Sequence, residues 1–514
     1  MILRLVALFL LLTSPLAAQG PVSIDYTELR EETARRLSEY LRINTSNPPG
    51  NELAAARWLN GVLAKEGIQG MILDTAELGP GRANFYARLA GEPGGRGIAL
   101  VHHMDVVTAT AKDWMVDPFG GEIRDGYVWG RGALDMKGHG IIQLMAFIAL
   151  KRAGVPLTRD LVYVGNADEE IGGLGSRTFL ERHPDLVKRI DYVLTEGADT
   201  RVEKGRVRWF GIDVGEKRTW WKKLVARGTT SHGSVPLGDN PVDHLIRALN
   251  RIVAYQTPLR LTPAVDRFFK AQARDQTGPG KAWLSDAAAA LKTKEGRAWI
   301  LSEPERNALL RATITPTVLQ GSEKTNIIPQ EASVELDIRL LPDEDTVAFR
   351  RTLERLIADP KIRIESIGDM APPYSAPLDT DMFLALERVA GRVLPGVPVA
   401  TPVSAGASDR PYWTAAGPIA YGIDPWLVEL EESRHSVHGN NERLSLENIE
   451  FGLKYYVGVI LEMEGGGRAV RRSGGQAVER NVTLNEVKGT ISGMVPFTSF
   501  RVTFSVLPLF PCTA

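Results

Sequence analysis

Residues 97–105 read GIALVHHMD, an apolar run ending in two histidines, with an aspartate two places after the second. The run Gly97 to His103 has the length and texture of a strand buried on both faces. His103 and Asp105 stand where that strand ends, which is where open α/β sheets hold their ligands. A lone His-x-Asp has an ordinary reading, a strand end dipping into solvent. It has a functional one too, a metal ligand beside its orienting carboxylate. The rest of the chain decides between them.

Outward from this stretch, Thr27 to Leu150 alternates between helical and strand patterns. "YTELREETARRLSEYLRI" and "AAARWLNGVLAKEG" have helical period, and "ANFYARLAG" is a short strand. "GHGIIQLMAFIALKRAG" is a mostly apolar helix, and "DLVYVGNADEE" and "IDYVLTEG" are strands running into polar ends. This alternation predicts an α/β fold with a mostly parallel central sheet. From 212 to 368 the pattern changes to a small β-α-β-β-α-β unit, inserted into the larger domain as a lid. Its strands are Trp220 to Ala226 and two within "TNIIPQEASVELDIRLLP", and its helices include "DTVAFRRTLERLIAD". Residues 257–310 read as helices added to that lid. The α/β pattern resumes after Pro372 and ends on "SLENIEFGLKYYVGVILEME". The expected catalytic domain is therefore 24–211 with 369–464. Residues 465–514 are a Gly/Arg-rich linker and a tail whose final "SFRVTFSVLPLF" alternates like a strand without an identifiable partner.

A chain of 514 residues exceeds one ordinary core. Hydrophobic content of 44% and charged content of 24% describe a soluble globular protein, and a net charge of −1 argues against nucleic acid as a partner. "MILRLVALFLLLTSPLAAQG" reads as a secretory signal peptide over residues 1–18, too short for a membrane span, so a periplasmic or secreted destination is expected. The single cysteine, Cys512, excludes an intrachain disulfide and any cysteine-rich metal site. A metal here must be held by histidine and carboxylates.

Such residues recur in comparable places. Asp135 lies in the Gly-punctuated "WGRGALDMKG", Glu169 and Glu170 end "LVYVGNADEE", Glu196 ends "IDYVLTEG", and His438 lies in "HSVHGNNER". Each alone is unremarkable surface chemistry. Together they offer nitrogen and oxygen donors enough for two zinc-like ions sharing a carboxylate.

The order His-x-Asp, Gly-x-Gly-x-x-Asp-Met-Lys-Gly, Glu-Glu, Glu and a late His-x-x-x-Glu resembles the M20 family of co-catalytic metallopeptidases. That family includes glutamate carboxypeptidase, aminoacylase and carboxypeptidase S-like enzymes. The resemblance covers Tyr26 to Glu464. It implies His103 and Glu196 on one metal, Glu170 and His438 on the other, and Asp135 bridging both, with His102 outside the set. Asp105 would fix the His103 ring. Glu169 would be the general base, passing a proton from water to the leaving amine nitrogen. The metals expected are two divalent ions, zinc first, with cobalt or manganese as alternatives. In the lid, "ARGTTSHGSVP" places His232 as the oxyanion-stabilising histidine, and "ELDIRLLP" supplies Arg339 for the substrate carboxylate. Asn326 in "TNIIP" and Gly406 in "SAGASDR" match segments that line the substrate. A homodimer through the lid is implied as well.

The function expected is cleavage of a peptide or N-acyl amide bond next to a free carboxylate, of carboxypeptidase or dipeptidase type. N-acyl-amino-acid hydrolysis is the alternative. A non-catalytic binding protein on this scaffold is opposed by the complete set of ligands and base, and a serine esterase by the lack of a Gly-x-Ser-x-Gly elbow. Two departures from the family pattern stand out. His139 replaces a glycine after "DMKG", and the helical addition to the lid is long, as in the carboxypeptidase S-like branch.

Overall fold

The structure is a computed structural model describing residues 24–465 except 198, 199 and 405, and beyond them only the backbone of strand segments between 470 and 506. The expected signal peptide lies outside the described residues. No helix among the described residues is long and apolar enough to cross a membrane.

The apolar runs of the sequence form a six-stranded, mostly parallel sheet. Four parallel strands make its body, in spatial order Leu161–Asn166, Gly97–His103, Ile190–Thr195 and Ile419–Gly422. Asn84–Leu89 and Gly70–Leu73 complete one edge in antiparallel register. Every residue of Gly97–His103 is buried, as a strand in the middle of a covered sheet must be. Helices Tyr26–Leu41, Lys137–Arg152 and Leu446–Met463 pack on one another, and Lys137–Arg152 packs on the central strand. His139 lies in this seam, its ring against the Tyr456 hydroxyl, so the substitution for glycine is absorbed by a buried polar contact.

The lid sheet is antiparallel throughout. Glu331–Leu340 runs between Thr313–Gln320 and Lys222–Arg227, and Ile362–Ser366 lies outside the latter. Helices Pro241–Ala254 and Thr346–Ile357 cover one face, burying Leu245, Ile252, Phe349 and Leu353 on Leu224, Val334 and Ile338. This is the expected β-α-β-β-α-β order, but one strand is misplaced in the sequence reading. "TNIIPQEASVELDIRLLP" holds a two-residue piece, Ile327–Ile328, and one long strand, Glu331–Leu340. The remaining strand is Thr313–Gln320. It is mostly exposed and contains Pro316, a residue confined to sheet edges, so it carries little apolar alternation to read.

Residues 257–310 are helical as expected, with helices Pro263–Ala273, Gly278–Ser285, Ala287–Ala290, Lys294–Ser302 and Pro304–Leu309. Their packing differs from the expectation. Val265, Phe268, Phe269 and Leu284 share a core with Trp209, Ala400 and Val403, not with the lid sheet. By burial, the addition belongs with segments of the larger unit. The tail strand also finds a partner, since Thr498–Val506 pairs antiparallel with Arg480–Lys488.

Candidate metal centre

Three neighbouring parallel strands deliver the cluster. His103 ends the middle one, Glu169 and Glu170 follow Leu161–Asn166, and Glu196 follows Ile190–Thr195. Pairing of His103 with Asn166 brings the strand ends level, so the residues after them converge. Asp135 arrives from the turn before helix Lys137–Arg152, and His438 from a loop residue with φ 58°.

Asp135 occupies the centre. Its Oδ1 lies 3.1 Å from His103 Nε2 and its Oδ2 lies 3.0 Å from His438 Nε2. Glu196 Oε2 is 3.5 Å from His103 Nε2, and Glu170 Oε2 is 3.1 Å from His438 Nε2. Donor atoms of His103, Asp135 and Glu170 lie within 4.8 Å of one another, and so do those of His103, Glu169 and Glu196. Glu169 is therefore as close to the cluster as the ligands are, and geometry alone does not separate its role from theirs.

The electrostatics describe a site built for cations. Burial opposes a charge on His103, yet Glu196 and Asp135 outweigh it and hold the imidazole pKa well above its usual value. Hydrogen bonds to Asp135 and Glu170 raise His438 to about 10. Burial, then the negative charge of Glu196, pushes Glu169 well above the ordinary carboxyl range. Four carboxylates around two imidazoles leave an excess of negative charge in a shielded cleft, where unpaired charge is costly. Divalent cations would balance it, and the nitrogen–oxygen donor set suits zinc, manganese or cobalt. The side chains fit such ions.

His102 is turned away from the cluster, as expected. Its Nε2 meets the hydroxyls of Tyr40 at 3.2 Å and Tyr163 at 3.4 Å, and its Nδ1 is bonded to the Val164 carbonyl. Asp105 needs correction. The partner of His103 Nδ1 is the backbone carbonyl of Asp105 at 3.0 Å, whereas its carboxylate is 3.6 Å away, beyond a hydrogen bond. A carbonyl can only accept, so Nδ1 carries a proton, and in the neutral ring this leaves the Nε2 lone pair for a metal. The Asp105 carboxylate has another task. It accepts from the amides of Glu169 and Glu170, both at 3.2 Å, and from Asn47 Nδ2 at 2.8 Å. It thus holds the turn that presents both glutamates. Asn47 also reaches Asp168 at 3.0 Å, which Arg82 holds at 2.7 Å. Neither Asn47 nor Arg82 belongs to the sequence-derived set, and isolated loop residues offered no signal.

Glu442, the last residue of the His-x-x-x-Glu motif, received no role from sequence. It is fully buried and accepts from Arg131 Nη1 at 2.8 Å and from the amides of Gly132, Leu134 and Asp135 at 2.9, 2.6 and 2.9 Å. One carboxylate therefore fastens the turn bearing Asp135 to the segment bearing His438. Glu442→Gln turns one acceptor into a donor facing amide hydrogens, a buried mismatch costing about 1–3 kcal/mol. Metal affinity, measured by chelator competition, should fall by roughly 10–100-fold, the range for residues that orient ligands. Unchanged affinity would show that the turn keeps its shape without this carboxylate.

The lid residues are gathered in two places. His232 is exposed on Ser231–His232, paired with Ile327–Ile328, and Gly233 N donates to the Asn326 carbonyl at 2.8 Å. The turn thus brings His232 and Asn326 together. The Ser234 amide donates to His232 Nδ1 at 3.2 Å, which in the neutral ring leaves the proton on Nε2. Arg339 projects from the sheet with its guanidinium on Asp337 at 2.8 Å and Thr219 at 2.8 Å, and 5.8 Å from the Trp221 ring centre. Among the described residues, no hydrogen bond or ion pair joins His232 or Asn326 to the metal cluster. Gly406 is exposed and donates its amide to Ser404 Oγ at 3.0 Å. In the same segment Asp409 is buried and accepts from Ser176 Oγ at 2.6 Å.

Known proteins resemble this chain in sequence and in fold. The family model for Peptidase family M20/M25/M40 matches residues 99–462. N-fatty-acyl-amino acid synthase/hydrolase PM20D1 of Xenopus tropicalis is 27% identical over 380 residues, covering 70% of this chain and 71% of its own. Aminoacylase-1 of Mus musculus is 25% identical over 368 residues, covering 71% and 79%. Among solved structures, the M20 family metallo-carboxypeptidase Sso-CP2 from Sulfolobus solfataricus has the same fold. It superposes with a TM-score of 0.60 at 19% identity, covering 84% of this chain and 98% of its own.

Proposed function

The chain belongs to peptidase family M20 and is a hydrolase, and from that premise we propose an exported, two-metal enzyme that cleaves an amide bond next to a free carboxylate. The observation that carries the two-metal reading is Asp135, whose two oxygens face different imidazoles at 3.1 and 3.0 Å. A carboxylate so placed could serve two ions, with His103 and Glu196 the residues that would hold one and His438 and Glu170 the other. Divalent ions held there, zinc first and cobalt or manganese as alternatives, supply Lewis acidity and lower the pKa of water toward neutrality. Glu169 takes the proton from the attacking water and delivers it to the leaving nitrogen. Asp105 holds the Glu169–Glu170 turn in place through two amides. His232 Nε2–H donates to the developing oxyanion, and Arg339 offers its planar fork to the substrate carboxylate. Asn326 and Gly406 line the substrate. Export rests on the signal-peptide pattern of residues 1–18, with a periplasmic or secreted location.

Carboxypeptidase or dipeptidase activity and N-acyl-amino-acid hydrolysis share this site. The similarity in sequence to PM20D1 and aminoacylase-1 supports the second reading. Assaying a panel of N-acyl amino acids and dipeptides, with and without chelator, separates them. Failure to hydrolyse either class would remove the proposed function.

For His232 to act, the lid must close or a second subunit must supply it. A homodimer through the lid is supported by its apolar surface. Ile246 and Val253 are 58% and 62% exposed, seven residues apart on helix Pro241–Ala254, and Leu319 is 65% exposed on the edge strand Thr313–Gln320. His232→Ala should lower kcat far more than it raises KM, because its hydrogen bond strengthens in the transition state. Mixing His232→Ala with Glu169→Gln subunits should restore activity if the histidine acts across the interface. A mixture no better than its parents, despite proven subunit exchange, would assign His232 to its own chain.

A further inference from the structure

We propose that Arg410 is a positioning residue that couples both chain connections of the lid to the turn carrying Glu196. Its guanidinium is buried at the junction of three segments. Nη1 lies 2.8 Å from Asp213 Oδ2 and Nη2 lies 2.6 Å from Glu216 Oε1, both carboxylates being buried on the connection that enters the lid. Its Cζ lies 5.2 Å from the ring centre of Tyr374, on the connection that leaves the lid, and the next residue, Ser375, bridges Gly215 on the connection that enters it. Nε is held by Ser408 Oγ at 2.9 Å.

The third segment is the metal side. Gly197, next to Glu196, has φ +99°, and a Cβ there would fall 2.4 Å from Arg410 Nη2. A Cβ on Gly422 would fall 2.2 Å from Nη1. Both glycines are needed because the guanidinium packs directly on the backbone. Gly422 exchanges two hydrogen bonds with Asp213, at 2.8 and 3.0 Å, and pairs with Thr195, the residue before Glu196. Gly197 N donates to Asp424 Oδ1 at 3.2 Å. One rigid, five-donor cation therefore touches the backbone that aims Glu196 and the carboxylates at the root of the lid. A shift of Asp213 and Glu216 with the lid would be carried by the planar guanidinium that spans them to the backbone at Gly197 and Gly422.

Lysine can replace the charge of Arg410 but not the fork that spans two carboxylates. The inference rests on the two-metal reading, so Arg410→Lys and Glu216→Gln are compared with wild type loaded with Zn²⁺ and, separately, with Co²⁺. In Arg410→Lys, one of the two Zn²⁺ affinities, read by chelator competition, should weaken by about 10-fold or more. The Co²⁺ visible absorption should change, and kcat should fall at least about 10-fold while KM moves much less. Glu216→Gln should shift the same readouts in the same direction by less. A folded Arg410→Lys with unchanged affinities, Co²⁺ spectrum and kcat overturns the inference, even if its melting temperature drops. If Arg410→Lys does not fold, Glu216→Gln decides alone, and wild-type values there overturn it. Wild-type protein that binds fewer than two equivalents removes the two-metal reading instead. Wild type with two equivalents beside unaffected variants removes only the role of Arg410.

Discussion

Glu169→Gln is expected to retain both metals and to lose turnover by about 10²–10⁴-fold, the range for a general acid–base group. The amide keeps the size and the turn of the glutamate but takes no proton at neutral pH. Its neighbour behaves oppositely. Glu170 Oε2 sits 3.1 Å from His438 Nε2, and its Oε1 accepts from Val107 N at 3.2 Å, so this side chain is oriented toward the cluster. Glu170→Gln should therefore lose metal first and activity as a consequence. Because Glu169 also lies within 4.8 Å of His103 and Glu196 donor atoms, metal analysis of both variants is what separates base from ligand. Near-normal turnover in Glu169→Gln would mean that the two roles are misassigned.

Removal of metal is the second large effect expected. Dialysis against a strong chelator should abolish hydrolysis, and added Zn²⁺, Co²⁺ or Mn²⁺ should restore it. The physical reason lies in the charge of the pocket. Without cations, protons on His103 and His438 are what offset the carboxylates, and imidazoles protonated in this way have no lone pair left for metal. Metal uptake should therefore release protons and weaken as pH falls. For His438, whose pKa is raised to about 10, competition between proton and metal extends across the neutral range.

The parts of this molecule legible in sequence are those written locally. An apolar run that ends in polar residues marks a parallel strand and its polar end, which makes His103, Glu169, Glu170 and Glu196 candidates, and the division into ligands and base comes from the family resemblance. Asp135 and His438 join these candidates from a Gly-punctuated turn and a distant loop, and they share one cluster with the strand-end residues. What was missed depends on approach of distant segments. The resemblance points the Asp105 carboxylate at the His103 ring, but in the fold it faces the amides of a neighbouring strand's turn. Glu442 has no local feature that announces four donors from the Asp135 turn. Thr313–Gln320 carries no legible signal because an exposed edge strand need not alternate. Chain position puts the helical addition with the lid, yet its phenylalanines pack beside Trp209. Chain order is a poor guide where a segment of its length can fold back.

Titrating the metal-free protein with Zn²⁺ while following hydrolysis of an N-acyl amino acid or dipeptide substrate tests the central claim most directly. The account predicts binding of two equivalents per chain, with activity reaching its plateau at the second. Full activity at zero or one equivalent would contradict a site in which Asp135 serves two ions.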